Sequence, residues 1–394
     1  MRQFLTILTL ITILASAKPL SEQSAEEPME GLPIWLLAVI AQPKPIEVLV
    51  DGEKAEVTPM FTLSEAIDYV NEIHSMGVNY VIQLSASTYR ETKPAVVPTN
   101  TTIKGKGRGR TILSFECDCA VAMEISSEGN VRVEDLALRS LSGPSRNTGI
   151  RAAELRADVV LSNLQVETSA TDYSQALAIG STYTDGNVSV LNSIAFASAG
   201  KGAYAIAAVG NTLITNTTAD VFSLSGDCAS EAEYIPIVSE SYGEDQKNII
   251  IGSELGTFGG CADRAVYAMQ GLTELKQTNT CGAIWLHSGN AVIDDLEQVS
   301  CGYVPWDSNW SRNSMEVWGG SISIRNSRLS LELRVYGDVT NFTFIDSVIS
   351  VNEKGYGYLI WDAPEESKFN IHCENVVDGN GNDFCSALEL EAGL

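Results

Sequence analysis

Histidine is scarce, and His74, His287 and His372 are the only three in 394 residues. None of them lies near Cys117-x-Cys119, so the chain lacks the ligand spacing of a zinc site. Basic charge is short as well. Lys and Arg number 25 against 50 Asp and Glu, which leaves a formal net charge of −25 at pH 7. That balance argues against nucleic acid or a bare anionic membrane as partner. No apolar run is long enough to cross a bilayer, and the stretch at 32–41 is too short by half. Regular Asn-Gly or Asp-Gly hairpin turns are missing. So is the Lys-Ser/Thr that would turn GKGRGR (105–110) into a phosphate loop. Nothing in the chain calls for a metal or a cofactor.

What the chain has is a repeat. NVRVED, DVVLSN, NVSVLN, NTLITN, NIIIGS, NAVIDD, SISIRN, NFTFID and NIHCEN begin at Asn130, Asp158, Asn187, Asn211, Asn248, Asn290, Ser321, Asn341 and Asn370. In most copies the second and fourth residues are apolar, as in Val131 and Val133, Ile249 and Ile251, or Phe342 and Phe344. The sixth is a polar turn former: Asp135, Asn163, Asn192, Asn216, Ser253, Asp295, Asn326, Asp346 or Asn375. Period-2 alternation closed by such a residue reads as a short strand running into a bend. Spacings of 20 to 42 residues between starts suit a solenoid whose coils carry loops of varying length. The two longest gaps, after Asn211 and after Asn248, leave room for a further coil. A lone coil cannot bury its inward Val, Ile and Phe, but stacked coils can. The expected fold is therefore all-β, a single right-handed parallel β-helix over residues 46–390. A β-sandwich is disfavoured because its strands recur every 8–12 residues through hairpin turns.

Residues 1–17 carry Arg2, an apolar run from Phe4 to Leu14 and a small-residue end at Ala15-Ser16-Ala17, the pattern of a cleaved secretory signal. An N-terminal segment, 18–45, follows it. The chain is expected to be secreted, extracellular or periplasmic, and to act as a monomer. Eight cysteines in an exported chain suit disulfides. Cys373 and Cys385 are close enough in sequence to bridge one loop, whereas Cys228, Cys261, Cys281 and Cys301 suit cross-coil staples. Residues 62–76 form an amphipathic helix with a Thr62/Glu65 capping box and Ala66, Ile67, Val70 and Ile73 on one face. A helix here lids the open end of the first coil.

The order of a strand ending in Asp51-Gly52, a helix containing Ser64-Glu65-Ala66-Ile67, then STYRE (87–91) and TIKGKGRGRTIL (102–113) resembles the N-terminal part of pectin methylesterase-type carbohydrate esterases. The resemblance implies a right-handed parallel β-helix of the pectin lyase type. It also implies ester hydrolysis by two carboxylates, assisted by Gln side chains at the oxyanion and an Arg that orients the nucleophile. The family's Q-A-V-A-L element resembles Gln175–Ile179, and its nucleophile element resembles the surroundings of Asp220. Gln175 and Asp220 are thus the candidate catalytic residues. Ala199 stands where the family places the acid/base Asp, and Val304 stands where the orienting Arg would be.

Between 303 and 318 lie Tyr303, Trp306, Asp307, Trp310, Arg312, Glu316 and Trp318. Aromatic rings stack on the apolar faces of sugars while neighbouring polar groups take their hydroxyls. Tyr303, Trp306, Trp310 and Arg312 are the candidate substrate-binding residues, with loop packing an equal alternative. Trp285 and Trp361 fall within strand-like runs and read as packing. The sequence favours a secreted pectinesterase-like β-helix that binds polysaccharide or a surface glycan without standard methylesterase catalysis. An active esterase or lyase with a diverged catalytic set is the alternative. Thiol titration of denatured, unreduced protein should find few reactive groups among the eight cysteines. Eight free thiols would overturn both the disulfides and the exported compartment.

Overall fold

The computed structural model describes residues 46–388 except 51–52, 56–59, 126–128, 144–145, 154–157, 171–174, 183–185, 225–232, 241–244, 259–263, 288–289, 300–313, 331, 351–357, 363–369 and 387. From Tyr80 onward the strands pair in parallel, coil upon coil, whereas Glu47–Val50, inside the span expected to be β-helix, pairs antiparallel with Glu53–Lys54 and with Tyr80–Gln83. Sheet A stacks residues 80–83, 101–104, 131–134, 159–162, 187–191, 211–215, 247–251, 272–276, 290–294, 321–325, 341–345 and 370–374. Sheet B runs from 88–91 through 194–199, 218–223, 254–258 and 279–281 to 377–378. Sheet C runs from 95–97 through 175–182, 202–209, 264–269, 283–287 and 314–318 to 358–362. Each coil follows the chain order A, B, C. The protein is a parallel β-helix, as its alternation predicts.

One residue per coil makes the bend from sheet A to sheet B. Asp135, Asn163, Asn192, Asn216, Gln277, Asp295, Asn326, Asp346 and Asn375 all have φ between 49° and 59°, a left-handed conformation that short polar side chains tolerate best. Their amides ladder between coils. Asn163 Nδ2 donates to Asp135 Oδ1 at 2.7 Å, and Asn375 Nδ2 to Asp346 Oδ1 at 3.0 Å. Just past the bend lies a second, buried ladder that sequence reading overlooked. Leu164 N–H donates to Ser193 Oγ, Ser193 N–H to Thr217 Oγ1, and Thr217 N–H to Ser253 Oγ, at 3.1, 3.4 and 3.3 Å. The same hydroxyls donate back across the bend, Ser193 to Leu191 O at 2.8 Å and Thr217 to Thr215 O at 3.0 Å. Backbone groups that the bend removes from the sheets are thereby satisfied.

Two sequence readings change. The gap after Asn248 does hold a further coil, Leu272–Cys281, with Thr273 and Leu275 inward and Gln277 at the bend. The gap after Asn211 holds none, because Thr212 pairs directly with Asn248. In that next coil the inward pair is Asn248 and Ile250, each 1 % exposed, and not Ile249 and Ile251. Gly252, at φ 60°, takes the bend one residue earlier than Ser253, and a one-residue slip turns every side chain to the other face.

The lid is helix α1 (Leu63–Ile73). Thr62 and Glu65 form the expected capping box, and Leu63, Ala66, Ile67 and Val70 are buried against the first coils. The helix ends at Ile73, not at 76, because the Tyr80 hydroxyl donates to Ile73 O at 3.1 Å and accepts from Ser75 N at 2.8 Å. Glu91, the last residue of STYRE, is 1 % exposed and accepts from the N–H groups of Leu63 and Ser64 at 2.6 and 3.1 Å. It also accepts from Ser64 Oγ at 2.6 Å. A carboxylate at a helix N-terminus meets both the free N–H groups and the positive end of the dipole. At the other end Phe384 and Leu388 are buried, and Cys373 bonds Cys385 as the short loop suggested. Cys117 bonds Cys119, Cys281 is also disulfide-bonded, and no described cysteine is free. Among the described residues no helix is long and apolar enough to cross a membrane.

Glu91→Ala should loosen the lid without unwinding the coils. Hydrogen exchange is expected to show α1 amides losing roughly 2 kcal/mol of protection, the scale of charge-assisted bonds to a buried carboxylate, while amides at 211–215 keep theirs.

Candidate functional site

Gln175 and Asp220 lie on different sheets. Gln175 opens the sheet C strand Gln175–Thr182, between Arg146 and Gly202 of adjoining coils. Asp220 is on sheet B, between Phe196 and Gly256. The Gln175 side chain lies outside the described residues, as do Tyr303, Trp306, Trp310 and Arg312.

Asp220 faces outward into a trough of about 470 Å³ lined by Thr218, Glu254, Asn279, Cys281 and Glu297 among others. The trough follows from register. Thr218 pairs with Glu254, Glu254 with Asn279, and Asn279 with Glu297, so one outward column of sheet B carries polar side chains through four coils. Burial, then the neighbouring Glu254 carboxylate, push the Asp220 carboxyl up to about 6, partly offset by a hydrogen bond from Gly256 N–H. A carboxyl at that level can give or take a proton near neutrality. Among the described residues no three His, Cys, Asp or Glu side chains converge to hold a metal ion.

The same coils carry a second array on sheet C. Tyr267 pairs with Trp285 and Trp285 with Glu316, while Met269 pairs with His287 and Trp318 with Tyr336. Alternate positions of these strands point outward, so their rings meet along the solenoid. Ring centroids are 5.6 Å apart for Tyr267 and His287, 6.2 Å for Trp285 and His287, 5.0 Å for His287 and Trp318, and 4.6 Å for Trp318 and Tyr336. Arg264 places its guanidinium 3.6 Å from the Trp285 ring centre. Within the stripe Arg334 bonds the Glu316 carboxylate at 3.2 Å, so the two charges offset each other. Burial and the Arg264 guanidinium hold the His287 imidazole below its usual range. Trp318 is 41 % exposed.

Sequence reading placed Trp285 in the packing and treated Trp318 as part of a loop. Both stand on strands, in one outward stripe. Tyr267, His287 and Tyr336 were not assigned to any aromatic site. Their signal was available in YAM (267–269), WLH (285–287), EVW (316–318) and RVY (334–336), where residues two apart recur at matching places in successive sheet C strands. Stripe and trough meet at one tight corner. Cys281 ends a sheet B strand, Ala283 begins a sheet C strand, and Gly282 alone joins them at φ 127°. A Cβ on Gly282 would sit 3.2 Å from Ala265 N.

No protein-family model matches the chain, and no curated protein matches it. Solved structures similar to it include the A-modules of two Azotobacter vinelandii mannuronan C-5 epimerases. That of AlgE6 aligns over 80 % of this chain and 94 % of its own, at 11 % identity and a TM-score of 0.32. That of AlgE4 aligns over 80 % and 92 %, at 12 % identity and a TM-score of 0.29.

The position of Asp220 carries a pH signature. Its folded carboxyl titrates near 6 and its unfolded one near 3.8, so the native state holds the proton more tightly. The group costs nothing below the lower value, and its destabilisation grows between the two and is complete above the upper one. Asp220→Asn should therefore stabilise the protein at pH 8 by roughly 1 kcal/mol, allowing for solvent screening in an open trough, and leave it unchanged at pH 3.5. Denaturant titrations at the two pH values check this, and equal effects at both would remove the titration argument.

Proposed function

We propose that this protein is an exported β-helix that binds a polysaccharide along the aromatic stripe of sheet C. The stack of Tyr267, Trp285, His287, Trp318 and Tyr336 across successive coils carries the reading. Core packing does not require rings on the outer face of a sheet. A row of aromatic side chains along the solenoid offers repeated apolar contact to a polymer of repeated rings. The signal-like 1–17 and the disulfides support an exported location, and a surface glycan is then the accessible partner. Standard methylesterase chemistry is disfavoured, since Ala199 at the acid/base place is 0 % exposed on the inner side of sheet B.

A diverged carbohydrate esterase or lyase is the second reading. The protonatable Asp220 beside Glu254 in the sheet B trough favours it.

Affinity electrophoresis in polysaccharide gels tests the first reading. Trp318→Ala should weaken retention about tenfold, the scale of losing one stacked ring, while Phe222→Ala, an exposed ring on sheet B, should not change it. Methanol release from methylated pectin is expected at background. Robust turnover that Asp220→Asn abolishes would establish the second reading in its place.

A further inference from the structure

From Asp135 onward one left-handed residue turns each coil from sheet A to sheet B. The coil before it, with Thr101–Lys104 on sheet A and Ile112–Phe115 on sheet B, spends the seven residues 105–111 on the same corner. That loop is tied down. Gly105 N–H donates to Glu134 O at 2.9 Å, Gly107 N–H to Asp135 O at 2.7 Å, and Arg110 and Thr111 N–H to Gly107 O at 2.9 and 3.0 Å. Lys106 N–H donates to the Thr111 hydroxyl, which donates to Ser85 O, both at 2.9 Å. Two of the glycines answer to the fold: a Cβ on Gly105 would sit 2.2 Å from Asp135 O, and Gly107 has φ 113°. The cations between them do not. Lys106 and Arg110 are exposed and Arg108 is half-buried. Lys104 faces Glu134 at 3.8 Å, but among the described residues Lys106, Arg108 and Arg110 form no ion pair. Lys106 adds to the hold of Lys54, which keeps the Glu47 carboxyl below its usual range. Residues 92–115 contain five Lys and Arg and no Asp or Glu, in a chain with 50 acids and 25 bases. Crowding like charges on a turn works against folding.

We propose that the corner loop 105–111 is a docking site for an acidic polysaccharide, with Lys106, Arg108 and Arg110 meeting the anionic groups of successive sugars. This rests on the exported location proposed above and not on the aromatic stripe, which lies on sheet C from Tyr267 onward. An Arg fork takes a planar carboxylate through two parallel bonds. Each exposed contact is weak, so an occupant that meets several at once is held where a small anion is not. A loop already fixed by its backbone bonds loses little freedom on binding. At physiological salt charges beyond about 8 Å are largely screened. A thin strand on this corner therefore meets the local cations and little of the chain's net charge of −25. A flat anionic membrane would also meet the acids beside the loop, Glu47 and Glu134 among them, and residues 104–110 offer no apolar side chain to enter it. An exported chain meets glycans rather than nucleic acid.

Affinity gels containing polygalacturonate or dextran sulfate test this on the full chain, with hydroxyethylcellulose as the neutral polymer and phosphatidylserine vesicles as the membrane. One variant combines Lys106→Gln, Arg108→Gln and Arg110→Gln. A control combines Lys201→Gln, Lys247→Gln and Arg328→Gln, which removes the same charge at exposed places elsewhere. The expected result is retention of the wild type by at least one acidic polymer, weakened about tenfold or more in the loop variant and unchanged in the control. Added salt should weaken it further. The unfolding midpoint of the loop variant should match wild type, because the bonds that fix the loop come from backbone groups and Thr111. Should the loop variant fail to fold, Arg108→Gln with Arg110→Gln carries the test. Equal losses in the loop variant and the control would overturn the site in favour of overall charge. No wild-type retention by either acidic polymer would overturn it outright, and so would tighter binding to the vesicles than to both polymers. A loop variant that loses the neutral polymer as much as the acidic ones would overturn the charge argument. Acidic-polymer retention that Trp318→Ala abolishes would move it to the stripe, whereas retention that Trp318→Ala leaves intact supports a separate site.

Discussion

The rest of the molecule depends on one left-handed residue per coil. A strand that continued straight past sheet A would leave its inward Val, Ile and Phe exposed. The bend at Asp135, Asn163, Asn192, Asn216 and their equivalents folds it onto sheet B instead. A lone left-handed residue strains most side chains, and Asn and Asp tolerate it while bonding their equivalent in the next coil. The hydroxyl that follows, at Ser193, Thr217, Ser253, Thr278, Ser327 or Ser347, then takes the carbonyl two residues back, such as Lys276 O at 2.9 Å. Bend and hydroxyl form one device. Together they fix where each coil turns, and so the register of every strand after it.

Fixed register explains why both surface arrays are columns. Side chains at one place in successive coils stand a strand spacing apart, so similar residues become a continuous surface. On sheet B that column is Thr218, Glu254, Asn279 and Glu297. On sheet C the neighbouring columns bring Tyr267, Trp285, His287, Trp318 and Tyr336 together. Gly282 matters because it turns this corner with a single residue, bringing the ends of a sheet B strand and a sheet C strand close in the chain.

Legibility followed physical constraint. Sheet A was readable because inward apolar residues at period 2 and a polar bend occur together, as in NVRVED and NFTFID. The reading failed at NIIIGS, where three consecutive isoleucines carry no alternation and Gly252 replaced the usual Asn. LTELKQ was missed because its bend residue is Gln277 and one of its inward residues is Thr273. Sheet C strands such as AIWLH and RAVYAM end at no fixed residue type, so their outward rings looked like packing. The resemblance in STYRE reported on folding. Glu91 caps α1 and Tyr89 is 0 % exposed, with its hydroxyl accepting from Ser85 N at 2.9 Å, so the element secures the lid and carries no chemistry at the candidate site.

The three outer faces differ in a way that folding alone does not require. On sheet A the outward side chains are mixed charges and β-branched residues, with Arg132 paired to Glu134 and Lys276 to Glu274. These satisfy solubility and strand propensity and need no other purpose. Sheet C departs from that pattern over residues 264–336, where Tyr267, Trp285, His287, Trp318 and Tyr336 stand together among Arg264, Glu316 and Arg334. Solubility and strand propensity do not call for five rings at matching places on one outer face, and that excess over what the solenoid needs is what the binding reading rests on.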